Sequence, residues 1–378
     1  MKQKKHKILH TIRQGKIGGG ETHVLDLVGS LHPDYFHSEV LTFTDGEMVN
    51  RLHALNVPCT VIHTEKPFDV TVWGKVKKFM QERQFDLVHA HGTRACSNSF
   101  KSANDLNLPL AYTIHGWSFH PDQSFFLRTA REKSERFLVR RTSCNISVSQ
   151  SNNRDGMERL GMPNSRVINY GINLEKFAPE KEYPLSRKDL NWPEDKFLMG
   201  MVARLTKQKD PATFIKAFAK VSEQRPEAHA VIVGGGELEP QCKELAQQYG
   251  LEERLTFEPF RTDVPAVLKL LDVYCLPSLW EGLPIGILEA MAMQKTIVAT
   301  PVDGTKEVIT DGETGYLFPE YDHEAMAQKL IQCIDNRERG RQLGLNAHKR
   351  IEQDFTVPLT AKNVGNLYLE LLGDEQRV

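Results

Sequence analysis

The sequence predicts an α/β protein with two Rossmann-like domains, each built on a parallel β-sheet. Short apolar strands alternate with amphipathic helices along the chain, and this alternation pauses once near the middle before it resumes. Alternation of this kind favours parallel sheets that helices cover on both faces. The length of 378 residues exceeds one ordinary domain and suits two.

The predicted strands fall into two sets. The first set comprises residues 8–12, 86–90, 110–114, 145–148 and 166–168. The second set comprises residues 197–202, 230–233, 273–276 and 296–299. Between strands, the i, i+3, i+4, i+7 spacing of an amphipathic helix occurs at Val24, Leu27, Val28 and Leu31, and again at Phe214, Ala217, Phe218 and Val221.

These patterns predict an N-terminal domain over residues 1–178 and a C-terminal domain over residues 196–357. The linker is expected at residues 179–195, where Pro179, Pro184 and Pro193 stand among charged residues without apolar periodicity. Residues 358–378 hold a final helix, because Leu359, Val364, Leu367 and Leu371 share an apolar face.

Composition places the chain among globular proteins of a reducing compartment. Hydrophobic residues make up 40% and charged residues 26%, and no run of about 18 apolar residues could span a membrane. The basic stretch Met1 to Lys7 is followed only by Ile8 and Leu9, too short an apolar region for a signal peptide. The six cysteines are scattered without a C-x-x-C pair, as expected of a cytoplasmic protein.

Charge is distributed unevenly between the two halves. Residues 1–180 hold 24 basic and 18 acidic residues, a net charge of +6, whereas residues 181–378 hold 24 and 31, a net charge of −7. A basic N-terminal half favours an anionic acceptor or peripheral contact with a membrane surface, although solvated charges distributed by chance give the same count. The near-neutral pI and the absence of a recognition motif argue against nucleic acid.

The most informative segment is Glu281 to Ala292. Pro284 suits the start of a helix, and the apolar residues after it continue that helix into the core. Glu289 then lies in the first turns of the helix and Glu281 in the loop before it. Free N–H groups at such a helix start bind anions, so a sugar linked to a diphosphate would suit the site. An ordinary helix start with an acidic cap is the alternative.

Arg204 and Lys209 follow a predicted strand of the second domain, with Lys207 as a competing cation. Ligands bind beyond the carboxyl ends of parallel strands, and Arg and Lys both suit phosphate. No Asp-x-Asp occurs in the chain, which favours a diphosphate site without a metal, and no cofactor is implied. A solvated charged turn is the alternative interpretation.

Two glycine loops follow strands and precede helices: Gly18-Gly19-Gly20 and Gly234-Gly235-Gly236. Glycine lets a backbone approach a ligand closely. A dinucleotide fingerprint fails in the first loop, because His23 stands where the third glycine belongs. Each loop could equally be a tight turn without a ligand.

Together these motifs resemble the family 4 retaining glycosyltransferases, which have the two-domain GT-B fold. The resemblance lies in the Glu-x7-Glu spacing of Glu281 and Glu289, in residues 200–209, 302–309 and 311–318, and in the glycine loop at 18–21. It implies two Rossmann-like domains facing a central cleft. It also implies metal-independent transfer of a sugar, most often from a UDP-hexose or UDP-N-acetylhexosamine, to a hydroxyl of a glycan or lipid-linked acceptor.

The resemblance also implies residue roles. Arg204 and Lys209 would neutralise the diphosphate, Glu289 would hold the ribose, and Glu281 would orient the sugar. His115, at a T-x-H-G position, would lie near the C6 side of that sugar. Weaker acceptor contacts fall to His91 and Gly18. The remaining donor-binding positions are Gly19, Gly20, Gly234, Gly236, Phe260, Arg261, Leu283, Pro284, Ile285 and Gly286.

This sequence departs from the family pattern in two loops. Pro259 replaces a usual glycine near the base, and Tyr170-Gly171 stands where many members have Asn-Gly. Three rival functions stay open: a nicotinamide-dependent oxidoreductase, a GT-B sugar-nucleotide epimerase or hydrolase without a separate acceptor, and a catalytically silent partner subunit. The sequence leaves the sugar, the base, the acceptor and the oligomeric state open.

Overall fold

The computed structural model describes residues 5–15, 18–120, 122–376 and 378, which divide into two compact units. Met1–Gly171 and Val357–Val378 belong to the first unit, and Ile172–Thr356 to the second. Residues 1–4 of the basic N-terminal stretch lie outside the described residues. The linker predicted at 179–195 falls inside the second unit, where Trp192 is buried and Arg187 donates hydrogen bonds to Leu270 O and Asp272.

The first unit is a parallel sheet with strand order β3-β2-β1-β4-β5-β6-β7 in the described residues. Its strands are β1 (His6–Ile12), β2 (Phe36–Thr42), β3 (Cys59–Val61), β4 (Leu87–His91), β5 (Leu110–Ile114), β6 (Cys144–Ser147) and β7 (Ser165–Val167). Its helices are α1 (Gly19–Ser30), α2 (Glu47–Ala54), α3 (Val70–Arg83), α4 (Thr93–Asp105), α5 (Phe125–Val139) and α6 (Gln150–Asp155), with a π-helical turn at Gly156–Leu160.

The second unit repeats this plan, with strand order β10-β9-β8-β11-β12-β13. Its strands are β8 (Phe197–Val202), β9 (Ala228–Val233), β10 (Leu255–Glu258), β11 (Val273–Leu276), β12 (Thr296–Ala299) and β13 (Tyr316–Leu317). Its helices are α7 (Pro211–Gln224), α8 (Glu239–Gln248), α9 (Val264–Leu270), α10 (Ile285–Ala292), α11 (Thr305–Val308), α12 (His323–Asp335) and α13 (Arg337–Asp354), with 3₁₀ turns at Lys188–Leu190 and Lys207–Lys209.

The last helix, α14 (Val357–Leu371), returns to the first unit. Its buried face, with Val364, Leu367 and Tyr368, packs in one apolar cluster with Ile8 of β1 and Leu27 of α1. The two parallel-sheet Rossmann-like domains expected from the sequence are thus confirmed.

Each sheet reverses its strand order once, and such a switch point opens a crevice at the carboxyl ends of the strands. In the first unit the reversal lies between β1 and β4, and in the second between β8 and β11. The loops after these four strands therefore lie where open parallel sheets usually bind their ligands.

No helix in the described residues is both long and apolar enough to cross a membrane. Among the cysteines, Cys59 is partly exposed and the other five are buried. Burial raises the pKa of the Cys96 and Cys275 thiols well above the usual range.

A row of histidines crosses the first sheet at its switch point. His10 of β1 lies beside His89 of β4, and its Nδ1 is 3.2 Å from Nε2 of His91. His91 stacks on His115, with the two rings 19° apart, and His23 of α1 meets His115 edge-on.

Burial keeps this histidine row uncharged. It lowers the pKa of His10 to about 3 and that of His115 to about 4. The pKa values of His23, His89 and His91 are also lowered well below 6.5, chiefly by burial and then by the neighbouring histidines. Removal from water therefore opposes an imidazolium at these positions of the row.

We expect acid to unfold the first unit. The folded pKa values are depressed, so the histidines' contribution to stability is fully present above the unfolded pKa of 6.5 and is lost as pH falls below it. Each histidine that stays uncharged in the fold contributes a slope of at most about 1.4 kcal/mol per pH unit, and all five slopes have the same sign. Hydrogen exchange of the β1 and β4 amides between pH 7.5 and 5 measures this loss.

A His10→Gln variant should lower that slope by one histidine's share. His53→Gln, which changes an exposed side chain on α2, should leave the slope as it is. A slope smaller than one histidine's share in the unaltered protein would contradict the argument.

Candidate active site

Four loops of the second unit meet at the carboxyl edge of its sheet. Arg204 follows β8, Gly234 follows β9, Glu281 follows β11 and Asp303 follows β12. Because parallel strands end at one edge, side chains distant in sequence come together there. The loops after β8 and β11 flank the switch point.

The glycine loop after β9 supports the loop that carries Arg204. A Cβ on Gly234 would lie 2.1 Å from Ala203 O, and one on Gly236 would lie 2.2 Å from Leu205 O. Gly234 also has a φ of +136°, which side chains rarely adopt. These contacts give both glycines a structural role in placing Arg204, whether or not they also contact a ligand.

The two predicted cations lie in different environments. Arg204 is exposed, and within the described part of the chain no carboxylate lies within ion-pair distance of it. Lys209, on the 3₁₀ turn, forms an ion pair with Glu281 Oε1. The Lys209 side chain is 17% exposed and the Glu281 side chain 7%, so this pair is largely shielded from water.

Glu281 is held from several sides. Ser278 Oγ donates to its Oε1 at 2.7 Å, and Gln208 Nε2 lies 3.5 Å from its Oε2. Its backbone N–H donates to Asp303 Oδ2 at 2.8 Å. Asp303 holds a φ of +39°, rare for a side-chain-bearing residue, and such strain is concentrated at functional sites. The carboxylate is therefore fixed at the edge of the sheet.

Helix α10 begins one residue later than the sequence indicates. Pro284 is its N-cap, with an extended ψ of 96°, and the helix starts at Ile285. No side chain caps it within the described residues, so the N–H groups of Ile285 and Gly286 head the helix at its positive end. Leu283 is buried beneath this turn.

Two further observations concern α10. A Cβ on Gly286 would lie 2.4 Å from the Tyr274 hydroxyl, so glycine lets the helix start pack on β11. Burial raises the pKa of that phenol well above its usual range, and the charges of Glu289 and Glu281 raise it further. Both carboxylates of the Glu-x7-Glu pair thus act on one buried tyrosine.

The loop after β10 presents Phe260 and Arg261. Phe260 is 62% exposed and free to stack with a planar ligand. Arg261 forms a two-point ion pair with Asp263, with Nε and Nη2 at 2.8 and 2.6 Å from its oxygens. The Arg261 guanidinium is therefore already engaged by a carboxylate.

In the first unit, the glycine loop and two predicted histidines meet at the sheet's switch point. Gly18 is the N-cap of α1, and a Cβ on Gly20 would lie 3.5 Å from the His115 ring. His115 follows β5, and His91 is the last residue of β4. The structure thus brings Gly20, His115 and His91 together within this unit.

The histidine row is also the one place in the described residues that offers three metal-ligating side chains close together. Ligand nitrogens of His10, His89 and His91 all lie within 4.8 Å of one another. Neutral imidazoles suit zinc and similar ions. However, His89 uses both nitrogens, on the Tyr368 hydroxyl at 2.5 Å and Thr113 Oγ1 at 2.7 Å, so a bound ion would displace one of these bonds.

Several polar groups of the site escaped the sequence analysis. Ser278, Gln208 and Asp303 support Glu281, and Tyr170 contacts His115. Thr206 Oγ1, between Arg204 and Lys209, is buried without a hydrogen-bond partner in the described structure. Ser278 and Asp303 each lie shortly after a strand of the second sheet, and this position could have identified them from the sequence.

Two family models match the chain. The model for Glycosyltransferase Family 4 matches residues 17–176, and the model for Glycosyl transferases group 1 matches residues 182–350. The first match covers most of the first unit and the second most of the second unit.

Named relatives cover most of the chain. A UDP-Gal:alpha-D-GlcNAc-diphosphoundecaprenol alpha-1,3-galactosyltransferase of Escherichia coli is 27% identical over 302 residues, 78% of each chain. The lipopolysaccharide core biosynthesis mannosyltransferase LpsB of Rhizobium meliloti is 29% identical over 244 residues, 63% of this chain and 68% of the relative.

Among solved structures, Anabaena Alr3699/HepE in complex with UDP-glucose is similar to this chain. The TM-score is 0.84 at 23% identity, over 96% of this chain and 99% of the other. The same two-domain architecture thus extends over the whole length of that enzyme. With both halves matched by the family's models and its fold present throughout, the chain belongs to the family 4, group 1 glycosyltransferases and has their GT-B fold.

Proposed function

We propose that this glycosyltransferase moves a hexose or N-acetylhexosamine from a UDP-sugar to a hydroxyl of a glycan or lipid-linked acceptor, with retention of configuration and without a metal ion. The observation that carries the proposal is the shielded Lys209–Glu281 pair beside the uncapped start of α10. The lysine and the free helix N–H groups suit the phosphates of a sugar diphosphate, and the carboxylate suits the hydroxyls of its sugar.

The diphosphate would be neutralised by the protein itself. Arg204 offers a planar fork without a competing carboxylate in the described residues, and the α10 N–H groups add a positive dipole end. Lys209 can turn from Glu281 to a phosphate oxygen, since both lie at one edge of the sheet. Charge on the diphosphate grows as the glycosidic bond breaks, so these contacts strengthen in the transition state.

Retention would follow from a front-face reaction. The leaving phosphate accepts the acceptor's proton, so the enzyme needs no nucleophile of its own. Glu281 would hold the sugar hydroxyls and support positive charge at the anomeric carbon, while Glu289 would hold the ribose hydroxyls. Gly234 and Gly236 would line the nucleotide pocket with Leu283, and Phe260 would stack near the base. Most of the rate would come from positioning and from stabilising the departing diphosphate.

The first unit would supply contacts to the transferred sugar and to the acceptor. His115 would orient the sugar, Gly19 and Gly20 would approach the donor phosphate, and His91 and Gly18 would contact the acceptor more weakly. The Escherichia coli relative is named for UDP-Gal and a diphosphoundecaprenol-linked GlcNAc, which supports a UDP-sugar donor and a lipid-linked acceptor here.

Contact with an anionic lipid surface is proposed for α5. Phe125 and Phe126, which begin this helix, are 67% and 84% exposed, and the basic residues Arg128 and Lys133 follow them. Exposed aromatic rings beside cations suit the interface of an anionic membrane. Flotation with phosphatidylglycerol vesicles measures this contact. Phe126→Ser should bind the vesicles more weakly, and unchanged binding of that variant would contradict the proposed contact.

A nucleotide screen and an acceptor assay test the whole proposal. UDP and UDP-sugars should raise the melting temperature more than GDP, ADP or NAD counterparts, because a ligand held by the folded state stabilises it. Nucleotide release that needs an acceptor supports transfer. Nucleotide release without an acceptor would favour the epimerase or hydrolase. Stabilisation by NAD would favour the oxidoreductase, and the absence of any nucleotide release would favour the silent subunit.

We expect turnover to continue in EDTA. The chain lacks Asp-x-Asp, and Arg204 with Lys209 would carry the charge that a metal carries elsewhere. The measurement is kcat for the donor found above, before and after chelation. Complete loss that Mg²⁺ or Mn²⁺ restores would contradict the metal-free site.

Arg204→Ala and Lys209→Ala should differ in stability although both lower kcat. Loss of one preorganised donor costs about 10²–10³ in kcat. Arg204 is exposed, so its removal should leave unfolding unchanged, whereas removing Lys209 leaves Glu281 shielded and unpaired at a cost of about 3 kcal/mol. Urea unfolding beside steady-state kinetics separates the two effects.

Lys209→Met combined with Glu281→Gln should recover the stability but not the activity. Lys220→Ala, which removes a lysine of α7 paired with Glu324, is the charge-matched control and should retain the activity of the unaltered enzyme. Full activity in both Arg204→Ala and Lys209→Ala would mean that Lys207 or another site neutralises the diphosphate.

The two glutamates should give separable defects. Glu281→Gln frees Lys209, so free UDP should bind as well or more tightly, while kcat falls because the sugar is misplaced. Glu289→Ala removes a ribose contact, so UDP binding should weaken by about 10–100-fold, as expected for a hydrogen bond to a charged group. Calorimetry of UDP binding beside kinetics measures both. The reverse pattern would exchange the two assignments.

A further inference from the structure

Tyr170 and His115 form a close pair within the first unit. The Tyr170 hydroxyl lies 2.5 Å from Nδ1 of His115, and the two rings stack 25° apart with centroids 5.7 Å from each other. Tyr170 stands in the loop after β7, fifty-five residues beyond the histidine.

The hydrogen bond selects which ring nitrogen carries the proton. A neutral imidazole has one N–H and one lone pair, and the partner of one nitrogen fixes the state of the other. A phenol O–H is a stronger donor than a neutral imidazole N–H, because oxygen is more electronegative than nitrogen. This difference favours the arrangement in which Tyr170 donates to Nδ1 and the proton of His115 lies on Nε2.

The opposite nitrogen faces the glycine loop. His115 Nε2 is shielded from water and has no hydrogen-bond partner in the described structure. A Cβ placed on Gly20 would lie 3.6 Å from it, in ordinary van der Waals contact, so the first turn of α1 lies against this edge of the ring. A buried N–H without a partner is costly, and such a group in a native protein calls for an explanation.

The ring is also held against rotation. His91 stacks on it at 19° and His23 meets it edge-on at 72°. Tyr170 is itself placed by its neighbour Asn169, whose side chain donates to Val148 O and whose carbonyl accepts from Thr360. Both partners of the bond are therefore fixed by the fold.

We propose that Tyr170 is a positioning residue for the transfer reaction: it keeps His115 in the Nε2–H tautomer, so that Nε2–H donates to an oxygen of the transferred sugar. The inference rests on the proposed function, because it assigns the partner of Nε2 to the donor. It explains why Nε2 of His115 is shielded without a hydrogen-bond partner in the described structure.

The test begins with Tyr170→Phe, which removes the hydroxyl and keeps the stacked ring. Long-range ¹⁵N–¹H spectra of histidine-labelled protein report the tautomer directly, with His115→Gln used to assign the signal. The unaltered protein should show His115 as Nε2–H at pH 7.5, and Tyr170→Phe should shift the signal toward Nδ1–H. The kcat should fall roughly tenfold, the effect of one hydrogen bond, with KM for the donor within about threefold.

Tyr368→Phe is the matched control. Its hydroxyl makes the same 2.5 Å bond to Nδ1 of a histidine, His89, in the same unit, but Nε2 of His89 is already bonded to Thr113. This variant should lose as much stability as Tyr170→Phe and keep its kcat. Equal losses of kcat in both variants would show that the loss in Tyr170→Phe comes from lower stability, and this result would overturn the proposal.

A double variant separates positioning from direct contact. Gln at position 115 carries a fixed amide donor near the Nε2 position and has no tautomer, so Tyr170→Phe should cost nothing further in the His115→Gln background. A further tenfold loss there, or an Nδ1–H tautomer in the unaltered protein, would overturn the proposal. Failure of the proposed function would leave the tautomer intact and abolish donor-dependent activity in every variant, so the two failures are distinguishable.

Discussion

Parallel strand pairing is the constraint on which the rest of this molecule depends. In each unit every named strand pair is parallel, so the loops after the strands leave the sheet at one edge. The strand order reverses at β1 and β4 in one unit and at β8 and β11 in the other. Each reversal separates two neighbouring loops and leaves space between them. The glycine loop, Arg204 and Glu281 follow three of those strands and His91 ends the fourth, so topology decides where their chemistry is concentrated.

The site of the second unit balances structural and chemical demands on the same residues. Gly234 and Gly236 approach the backbone of residues 203 and 205 too closely for any side chain, and this contact places Arg204. Glu281 is anchored by Ser278 and by the pair with Lys209. Under the proposed function, a ligand that draws Lys209 away would leave Glu281 held by Ser278, which would limit the reorganisation that binding requires.

Much of the fold could be predicted because buried parallel strands are short apolar runs. The strands at 110–114, 197–202, 273–276 and 296–299 have the predicted bounds. Strands β3 and β13 were missed: they are edge strands of three and two residues, too short for a pattern to form. Strand β2 was missed because three polar residues, His37, Ser38 and Glu39, follow Phe36 at its start. Strand β10 was missed as well, because two of its four residues, Thr256 and Glu258, are polar.

The candidate site was predictable only where its residues form a local motif. Glu281 and Glu289 are eight positions apart, and Arg204 and Lys209 five, so their spacing is visible in the sequence. The bond between Tyr170 and His115 joins residues far apart in sequence, and only strand order brings them together. The same holds on α5, where Glu132 pairs with Arg159 and the Tyr112 hydroxyl donates to Glu135.

The return of α14 to the first unit has a consequence for biosynthesis. The cluster around Ile8 and Leu27 is closed by Val364, Leu367 and Tyr368, and the Tyr368 hydroxyl completes the hydrogen bonds of His89. On the ribosome, the second unit is therefore synthesised in full before the first unit receives its last helix. Until α14 is made, part of the apolar core of the first unit stays uncovered. Chaperones that shield apolar surface would therefore bind the nascent chain at its first unit, which is synthesised first.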